Sequence, residues 1–585
     1  MPIRQLAPLW LPREDRLGLT PRQVVFKAMQ LTDALKIDPL LARLLVLRGQ
    51  DDPESAKLHL YGNLSDLPDP FLLQGMDKAA QRIARAIEAG ESGCVMGDYD
   101  QDGIGAAAMV AEFFREIGGQ IDLYIPSRFT EGYGLSAQAV RQAADRGVSY
   151  IISVDCGISS HEEAILARDL GISLIVTDHH QVPPQCPEAF AVVNPHLPEC
   201  RFPFKDLCGA GVAFFLLAAV RKVLRERGYF QDRSEPDLRK LLDICSVSTI
   251  ADLVPLVGIN RIITQAGLKV MGQGKRVGIE ALREVANIRR ISSGTVSFGL
   301  APRLNAAGRL SDANLGANLL LETDPDKARA IASELDSINR ERQQIESEIL
   351  DQALEKIAAG EALDRCIVLA DERWNEGVIG IVASRLVERF HLPTVLIALK
   401  EEQGKGSCRS ISGFNLFENL QHCASTLIGF GGHAMAAGLK ICRSDIPAFA
   451  AQLNARVKSE VTIEGLTPKF YYDAELAAGM LSEELVALSG SLEPFGMSNP
   501  GPVYLMRNVT AANVRALGQD RKHLKFEAIQ GSTRVDAIAF QKGHLASQVD
   551  GVQVDLLFQA GINEYGGRRS LQLEVKDMRP SRKAA

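Results

Sequence analysis

Carboxylate and imidazole side chains are concentrated in two short runs of this chain, and each run follows an apolar segment. The first run is Gly97-Asp98-Tyr99-Asp100-Gln101-Asp102-Gly103, which follows Cys94-Val95-Met96. The second is Asp178-His179-His180, which follows the apolar stretch 172–176. Carboxylate oxygens and imidazole nitrogens are ligands of hard or borderline divalent cations. The two runs therefore predict a two-metal site, which is typical of phosphate-ester chemistry.

The elements that must position these side chains alternate between strand and helix from about residue 93 to residue 195. Strands are predicted at 93–96, 121–125, 150–154 and 172–176, and helices at 104–117, 136–145 and 160–170. Such alternation is typical of βαβ units and a mostly parallel sheet. Ligands of such sheets bind beyond the carboxyl ends of the strands. The acids that follow apolar runs at these predicted ends are Asp98, Asp100, Asp102, Asp155 and Asp178.

Taken alone, each candidate ligand also has a structural explanation. Asp and Gly favour turns, so the first run is equally consistent with a turn, although Asp100 and Asp102 in an extended loop could face the same ion. Asp155 could lie in a turn or cap a helix, and Asp252 could be an N-cap or a surface residue. Two adjacent histidines after an Asp at a strand end are harder to explain in this way. Five or six candidate ligands at equivalent positions together favour a metal site.

The rest of the chain predicts further units. Helices are expected at 21–35, 39–48, 53–60 and 76–89, residues 205–290 look mostly helical, and a long helix is predicted at 326–359. A second mixed α/β unit covers about 363–460, and five short strands after residue 466 predict a small barrel such as an OB-fold. The predicted fold class is therefore α/β. A parallel-sheet domain and a smaller α/β domain are joined by the long helix, with a C-terminal β-barrel.

Composition bounds the function classes. The chain has 585 residues, of which 46% are hydrophobic and 23% charged, as in ordinary globular proteins. No apolar run approaches the roughly 20 residues of a membrane span, and the N-terminus has no apolar signal core, so we expect a cytoplasmic protein. The ten cysteines form no Cys-x-x-Cys pair, which argues against a zinc ribbon or a disulfide framework. The net charge of −7 still permits a local basic groove for phosphates.

Other segments are candidates for phosphate binding. No Gly-x-Gly-x-x-Gly follows the first strand and there is no Walker A loop, which disfavours dinucleotide binding and ATP hydrolysis. Gly406-Ser407-Cys408-Arg409-Ser410 and the Gly-rich segment 429–438 could form a phosphate cradle, or equally could be tight turns between strands. Arg303 and Arg309 could bind phosphate or pair with acids. Basic and aromatic residues of the barrel could hold a single strand or lie in solvated loops.

In their order along the chain, these motifs resemble the DHH phosphoesterase superfamily, and more narrowly its single-stranded-DNA exonucleases. The resemblance covers nearly the whole chain. It depends on the two acidic runs together with these markers: Ser153-Val154-Asp155-Cys156-Gly157, Thr249-Ile250-Ala251-Asp252, the segments 302–309 and 377–385, Gly431-Gly432-His433-Ala434-Met435-Ala436-Ala437-Gly438, and 493–500. The Gly-rich marker is similar to the second, DHHA1-type domain, and the last marker is similar to the entry of an OB-fold.

The resemblance implies a ligand set for two ions, Mn²⁺ or Mg²⁺. Asp100 and Asp155 would hold one ion. Asp102, Asp155, His179 and Asp252 would hold the other, with Asp155 as the bridge. This sequence departs from some members of the superfamily because Met stands at position 96, where they carry His. A thioether is a poor ligand for Mg²⁺ or Mn²⁺, so the first ion is expected to be held more weakly.

Further roles are implied by the same resemblance. His180 would lie beside the scissile phosphate, while Asp98 and Asp178 would orient the ligands. The residues expected to hold the substrate backbone or its 5′ end are Arg303, Ser407, Arg409 and His433. Cys408 and Ser412 stand where similar sequences often have Gly and Pro, which changes the expected detail of that loop.

The activity implied is a 5′→3′ exonuclease that degrades single-stranded DNA to 5′-mononucleotides, serving recombination and repair. Single-stranded-DNA-binding protein and a helicase are the implied partners, and we expect a monomer. The predicted domains are an N-terminal helical segment (1–68), a DHH domain (69–322), a connecting helix (323–362), a DHHA1 domain (363–463) and an OB-fold (464–585). Two alternatives remain. One is a phosphoesterase of small molecules, which generally lacks the N-terminal helices and the barrel, and the other is a non-catalytic DNA-binding scaffold.

Overall fold

The computed structural model describes residues 6–128, 131, 132, 134–518, 520–565 and 568–581, and it divides into two compact units. Unit 1 contains Asn305–Asp312 and Ser333–Phe470, together with N-terminal residues up to Trp10. Unit 2 contains Leu11–Leu304, Ala313–Ala332 and the segment from Tyr471 onward. Within the described part of the chain, no helix is both long enough and apolar enough to cross a membrane.

Unit 2 contains the predicted parallel sheet. Its strands are β1 (Ser92–Gly97), β2 (Gln120–Tyr124), β3 (Tyr150–Val154), β4 (Ser173–Thr177) and β5 (Ala191–Val193). They pair in the order β2-β1-β3-β4-β5, and every pairing is parallel, which confirms the prediction. The sequence analysis did not predict β5, because three residues are too few to establish an apolar pattern.

Helices connect these strands close to the predicted positions. They are Gln101–Ile117, Ala137–Asp145 and His161–Asp169. The first begins three residues earlier than predicted because the Asp100 carboxylate caps it, accepting hydrogen bonds from the backbone N–H of Asp102 (2.9 Å) and Gly103 (3.2 Å). The expectation that Asp100 and Asp102 lie in an extended loop is therefore wrong, since Asp102 lies in the first helical turn.

The other helices of unit 2 surround this sheet or precede it. The N-terminal group is Pro21–Leu35, Pro39–Val46, Pro53–Tyr61 and Met76–Ala89, and the later group is Gly209–Glu226, Leu242–Ala251, Gly258–Met271, Val277–Val285 and Asn314–Leu321. Three of the N-terminal helices begin with Pro after a capping residue, namely Thr20, Asp38 or Asp52. Proline fits the first helical position because its missing N–H would have no partner there. The helices Ala301–Leu310 and Pro325–Ala358 contribute residues to both units.

Unit 1 contains a mixed sheet of five strands. They are β6 (Ile367–Asp371), β7 (Thr394–Lys400), β8 (Gln403–Arg409), β9 (Gly429–Gly432) and β10 (Ala436–Cys442), in the order β9-β10-β8-β7-β6. Only β6 and β7 pair in parallel. The helices Ile379–Phe390, Leu416–His422 and Ile446–Glu460 complete this unit. Ser407 and Arg409 lie inside β8, so the alternative that this segment is a tight turn is wrong.

The C-terminal part of unit 2 is the predicted barrel. Its strands are β11 (Ala474–Glu475), β12 (Tyr504–Leu517), β13 (His523–Gln530), β14 (Thr533–Ala539), β15 (Gln553–Tyr565) and β16 (Arg568–Pro580). Five of them pair in the order β12-β13-β14-β16-β15, and pairing of β15 with β12 closes the barrel. The short strand β11 pairs in parallel with β12. Closure removes the unpaired edges that an open sheet exposes. The five-stranded barrel is confirmed.

Candidate metal centre

The register of the parallel sheet sets the acids side by side. Val154 of β3 lies opposite Gly97 of β1 and Thr177 of β4, and these three residues end their strands. The next residue on each strand is therefore at the same level, and these residues are Asp98, Asp155 and Asp178. The parallel register thus brings three carboxylates to the same edge of the sheet, although they lie far apart in the sequence.

Asp155 occupies the centre of this edge. It is 2% exposed and has a left-handed backbone with φ of +60°. Residues other than glycine rarely adopt this conformation, and it clusters at functional sites. A Cβ atom added to Gly209 would lie 2.5 Å from the Cβ of Asp155, so the backbone of Gly209 approaches the acid as closely as only glycine permits. The alternative that Asp155 caps a helix is not what the structure shows, because Asp155 follows β3 and precedes no helix directly.

Carboxylate oxygens of Asp155, Asp102 and Asp252 converge on His179. His179 Nε2 lies 3.1 Å from Asp155 Oδ1, 3.8 Å from Asp102 Oδ2 and 3.7 Å from Asp252 Oδ2. Among the described residues, His179 Nε2, Asp155 Oδ1 and Asp252 Oδ2 are buried and accept or donate no hydrogen bond. Buried polar atoms normally have a partner, and a missing ion explains a group of them that faces one point. The donor set, oxygen with one imidazole nitrogen, fits Mn²⁺ or Mg²⁺.

Three sets of side chains have ligand atoms close enough to share an ion, each set lying within 4.8 Å. They are Asp98 with Asp100 and Asp155, Asp102 with His179 and Asp252, and Asp155 with His179 and His180. The structure thus brings together all six residues expected to be catalytic. Asp252 lies at the C-terminal end of the helix Leu242–Ala251, not at an N-cap as the alternative had it.

Asp102 is held by the start of another helix. Its carboxylate accepts hydrogen bonds from the backbone N–H of Gly209 (2.5 Å) and Ala210 (2.9 Å), at the N-terminus of the helix Gly209–Glu226. This helix end carries partial positive charge and stabilises an anion. The sequence analysis missed this support. The signal available was the run Gly209-Ala210-Gly211 ahead of an apolar helix, which permits close approach of the backbone.

The pKa values of Asp102, Asp155 and Asp252 are raised, because these acids are buried together and nearby positive charge does not balance their negative charge. Burial and then the neighbouring Asp100 raise the pKa of Asp102 to about 7. Burial, with Asp102 and Asp100, raises the pKa of Asp252 to about 9. The pKa of Asp155 also lies well above its ordinary value because of burial and the adjacent acids. Burial and the charge of His180 lower the pKa of His179 to about 4, so its ring is neutral, the form that binds metal.

Asp178 differs from these acids because its carboxylate is fully used inside the protein. It accepts hydrogen bonds from the N–H of Ile158 (3.0 Å), His179 (2.7 Å) and His180 (3.0 Å), and His180 Nδ1 lies 2.7 Å away. Burial opposes ionisation of Asp178, but these hydrogen bonds and the charge of His180 hold its pKa below the ordinary value. Asn194, which follows β5, adds a hydrogen bond to the carbonyl of His180 (2.9 Å). The sequence analysis missed Asn194 because it did not predict β5.

Asp98 belongs to the first of these sets, with Asp100 and Asp155. Asp98 is buried, and its pKa is raised by burial and by Asp100, an effect that the charge of Arg128 partly offsets. The Arg128 guanidinium lies 5.1 Å from the ring centre of Tyr99. Arg128 was not predicted, because a single Arg in a loop has no periodic signal. Met96, which replaces the histidine of some superfamily members, packs in the core beside Cys94 and Val176.

In unit 1, the predicted substrate residues lie around the start of a helix. Arg409 Nε donates to Ser384 Oγ (3.2 Å), and Arg409 Nη1 donates to Ser407 Oγ (3.2 Å). A Cβ atom at Gly380, in the first turn of the helix Ile379–Phe390, would lie 2.8 Å from Ser407 Oγ and 3.1 Å from Arg409 Nη2. A helix N-terminus with an Arg beside it is suited to an anion. Ser384 and Gly380 were not among the predicted site residues.

Of the two remaining predicted residues, His433 belongs to unit 1 and Arg303 to unit 2. His433 follows β9, and its backbone N–H donates to the carbonyl of Ala436 (2.8 Å) in the turn that leads to β10. Arg303 belongs to unit 2, where its Nη1 donates to the carbonyl of Gly299 (2.6 Å). The roles of these residues toward a substrate stay predictions.

Comparison with known proteins identifies the family. Three family models match the chain: the DHH family N-terminal domain over residues 93–249, the DHHA1 domain over 363–459 and the RecJ OB domain over 472–577. The single-stranded-DNA-specific exonuclease RecJ of Bacillus subtilis is 40% identical over 94% of this chain and 69% of its own length. RecJ of Escherichia coli is 37% identical over 93% of this chain and 96% of its own length. The chain belongs to the RecJ family.

The fold comparison agrees with this assignment. The crystal structure of RecJ from Thermus thermophilus with Mn²⁺ has a TM-score of 0.82 and 30% sequence identity, and the match covers 98% of this chain and 80% of that chain. The Mg²⁺ complex of the same RecJ has a TM-score of 0.76. The three family models coincide with the parallel sheet, the mixed sheet and the barrel, so each module of the family corresponds to one of the sheets described above.

Proposed function

We propose that this RecJ family member is a 5′→3′ exonuclease that degrades single-stranded DNA to 5′-mononucleotides with two divalent ions, Mn²⁺ or Mg²⁺. The observation that carries the proposal is the convergence of Asp155 Oδ1, His179 Nε2 and Asp252 Oδ2, which lack protein partners among the described residues. Relatives that match nearly the whole chain are named single-stranded-DNA-specific exonucleases, and the RecJ of T. thermophilus was crystallised with either ion.

Two neighbouring ligand sets support two ions. Asp100 and Asp155 would hold one ion, with Asp98 close enough to support them or to add a ligand. Asp102, His179 and Asp252 would hold the other, and Asp155 would bridge the two. The excess of buried acids supports this assignment, since two divalent cations supply the positive charge that the surrounding side chains lack. Asp178 would keep His179 and His180 in place without binding an ion itself.

Bound in these sets, two divalent ions would lower the pKa of a coordinated water and neutralise charge on the scissile phosphate. His180 would act beside them. Burial lowers the pKa of His180, but the hydrogen bond with Asp178 and its negative charge raise it more, so the net shift is upward. An imidazolium next to the phosphate would stabilise the negative charge that develops on its oxygens. The Asp178 contact at Nδ1 also fixes the orientation of the ring.

The proposed substrate residues hold the strand through its phosphates. In unit 1, Arg409 and Ser407 lie at the N-terminus of the helix Ile379–Phe390, a combination suited to a terminal phosphate, and His433 would assist there. In unit 2, Arg303 would bind a backbone phosphate. Phosphate contacts of this kind do not depend on base identity, which suits an enzyme that digests any sequence. The barrel would bind more of the single strand.

Two other functions are less well supported. A phosphoesterase of small molecules does not need a closed C-terminal barrel, and the RecJ OB model matches residues 472–577. A non-catalytic scaffold is disfavoured because all the predicted acidic and histidine ligands are present and lie together. Loss of hydrolysis with retention of DNA binding would favour the scaffold.

Several finer points belong to the same proposal. The protein would act in the cytoplasm, in DNA recombination and repair, as a monomer. Single-stranded-DNA-binding protein and a helicase that supplies strands would be its partners. The proposed domain boundaries are 1–68, 69–322, 323–362, 363–463 and 464–585. Light scattering would test the monomer, which has a mass of 63.6 kDa.

The decisive experiment is digestion of one single-stranded oligonucleotide labelled at its 5′ end and, separately, at its 3′ end. Reactions contain Mn²⁺ with or without chelator, and an Asp155→Ala protein is assayed in parallel. Immediate release of the 5′ label as a mononucleotide, with gradual shortening of the 3′-labelled strand, is the expected result. Chelator and Asp155→Ala should each abolish it.

Other outcomes separate the alternatives. Immediate release of the 3′ label would reverse the polarity and exclude 5′-end binding. Binding without cleavage by the folded wild-type protein would favour the scaffold. Neither binding nor cleavage would direct the search to small phosphate esters.

A further inference from the structure

Phe298 is the most exposed large apolar residue in the described part of unit 2, with 86% of its surface accessible. It lies in the middle of a single π-helical turn, Val296–Leu300. Val296 and Leu300 are fully buried and fix both ends of this turn, so the segment is anchored while Phe298 faces solvent. Isolated π-helical turns frequently occur at functional sites. A single exposed apolar residue needs no explanation by itself, so the surroundings of Phe298 decide its meaning.

The π-helical turn packs against the helix that positions a predicted metal ligand. Val296–Leu300 contacts the helix Leu242–Ala251, and Asp252 follows that helix directly. The next residue, Leu253, is 61% exposed and has a left-handed backbone with φ of +59°. Leucine gains no packing energy in such a position, and the backbone conformation is unfavourable for it. A second apolar side chain is thus held in solvent next to the metal centre.

Arg303 follows Phe298 in the sequence and places a cation at the same turn. Arg303 Nη1 donates to the carbonyl of Gly299, the residue that follows Phe298, so the guanidinium is fixed at the same turn. Sites for single-stranded nucleic acid combine a cation for the backbone with an aromatic face for a base. Phe298 and Arg303 supply these two groups from one anchored segment, beside the helix that ends at Asp252.

We propose that Phe298, on the turn that packs against the helix preceding Asp252, forms a stacking platform for one nucleobase of the single strand. This inference rests on the proposed nuclease function and adds to it a contact with a base, whereas the other substrate residues contact phosphates. Every base has an apolar face, so the platform would accept any sequence. It would position the strand, because a stacked base fixes the phosphate attached to its sugar. A duplex would fit poorly, since its bases already stack on one another.

The test combines a protein substitution with removal of single bases from the substrate. Single-stranded oligonucleotides carry one abasic residue at each of the first several positions in turn, and kcat/KM is measured in Mn²⁺ for wild type and Phe298→Ala. Removing one base at one particular position should slow the wild type about tenfold, and Phe298→Ala should slow digestion of the intact strand about tenfold. In the Phe298→Ala protein, an abasic residue at that position should cause no further loss of kcat/KM.

Two further variants serve as controls. Phe298→Trp should restore the rate and the sensitivity to the abasic position, since an indole also stacks. Phe26→Ala removes an equally aromatic side chain that is 62% exposed in the N-terminal helices, and it should behave as wild type. A wild-type rate for Phe298→Ala would overturn the proposal. So would a result in which the rate losses from Phe298→Ala and from the abasic residue multiply at every position tested.

A binding measurement keeps the inference separate from the nuclease function. Fluorescence anisotropy with the same oligonucleotides gives the Kd of wild type and Phe298→Ala without any cleavage. If wild type digests no single-stranded DNA, the proposed function fails. In that case, an approximately tenfold weaker Kd for Phe298→Ala would still support the platform, and an equal Kd would reject it.

Discussion

Asp155 and Asp473 are both buried carboxylates of unit 2, yet their surroundings are opposite. Asp473 is fully buried, and its Oδ1 lies 2.8 Å from Arg13 Nε and 3.2 Å from Arg48 Nη1, while its Oδ2 accepts a hydrogen bond from Val503 N–H (2.8 Å). Asp155 is 2% exposed, and burial and then the neighbouring acids raise its pKa. Its Oδ1 has no hydrogen-bond partner among the described residues.

The difference shows that burial of an acid does not identify a functional site. Burial of a charge is costly, and the cost is met either inside the protein or by something that the protein binds. Arg13 and Arg48 balance Asp473 internally, which links the N-terminal helices to the entry of the barrel. In the described part of the chain, no Arg or Lys forms an ion pair with Asp155, so bound cations would balance its charge. The type of neighbour, not the degree of burial, separates structure from function here.

The largest expected effect is that of Asp155→Asn on activity. Because Asp155 belongs to two of the three candidate ligand sets, we expect the nuclease activity to fall more than about 100-fold, beyond the usual effect of changing a supporting residue. In chelator, the thermal midpoint should rise or stay unchanged, since the substitution removes one charge from a repelling cluster. Digestion assays and thermal unfolding with and without Mn²⁺ measure the two effects.

Asp33→Asn is a suitable control for Asp155→Asn, because Asp33 is exposed on an N-terminal helix. It should change neither quantity. A normal nuclease rate in Asp155→Asn would contradict the assignment of this acid to the metals.

Asp473→Asn should lower stability and leave nuclease activity unchanged, the reverse of what we expect for Asp155→Asn. It leaves Arg13 and Arg48 buried without their counter-charge, which typically costs about 3–5 kcal/mol of stability. Urea unfolding would measure the loss, and the folded fraction at low temperature should keep the wild-type kcat. A folded but inactive Asp473→Asn protein would remove the distinction between the two acids.

Gly209→Ala should disturb Asp155 without removing any charge. The new Cβ would lie 2.5 Å from the Cβ of Asp155 and 2.7 Å from its Oδ1. A displacement of about 1 Å at a reacting centre can cost about 100-fold, so we expect a fall in kcat of tenfold to about 100-fold. The measurement is steady-state digestion across a range of Mn²⁺ concentrations.

Gly211→Ala is the matched control, two residues further along the same helix. Its Cβ would meet Leu207 at 3.5 Å, an ordinary contact. The protein should keep its activity, and equal losses in both variants would indicate a general helix effect instead of a displaced Asp155.

The smallest effect concerns pH. The raised pKa values of Asp102, about 7, and Asp252, about 9, mean that the metal-free folded protein keeps protons that the unfolded chain has lost above about pH 4. Stability should therefore fall as pH rises from about 5 to 9, by about 1.4 kcal/mol per pH unit for each extra proton. Saturating Mn²⁺ should remove this slope, because the ions replace the protons.

Denaturation in chelator at several pH values tests this prediction. Asp252→Asn should reduce the slope between about pH 7 and 9. A stability that rises with pH in chelator would show that the cluster is not short of positive charge.

Much of the fold could be predicted because its signals are local. The strand β3 was predicted with its observed bounds, and so were the helices Pro21–Leu35 and Met76–Ala89, since the apolar pattern that indicates each element lies within its own segment. Where a signal was short or ambiguous, prediction failed. The three residues of β5 were missed. The Gly-rich strand β8 had equally been interpreted as a turn, because one of its pairing partners, β10, lies further along the chain.

For the site, too, the residue pattern by itself predicted local features and did not predict contacts between distant segments. The sequence placed Asp98, Asp155 and Asp178 at strand ends, and their family resemblance supplied expected roles. Without that resemblance, the residue pattern could not distinguish Asp178, whose oxygens accept hydrogen bonds from the backbone of its own loop, from Asp155, whose Oδ1 faces other acids. Their local sequences are similar in kind, so the distinction depends on which atoms arrive from other segments.

The sequence by itself therefore determined the elements, the acids at the ends of the strands and the family to which the motifs belong. These depend on neighbours a few residues apart, which the chain states directly. Only the tertiary structure decided that Gly209 and Ala210 hold Asp102 and that arginines balance Asp473. These facts depend on contacts between residues more than 70 positions apart, and electrostatic energy is set by distance in space, not along the chain.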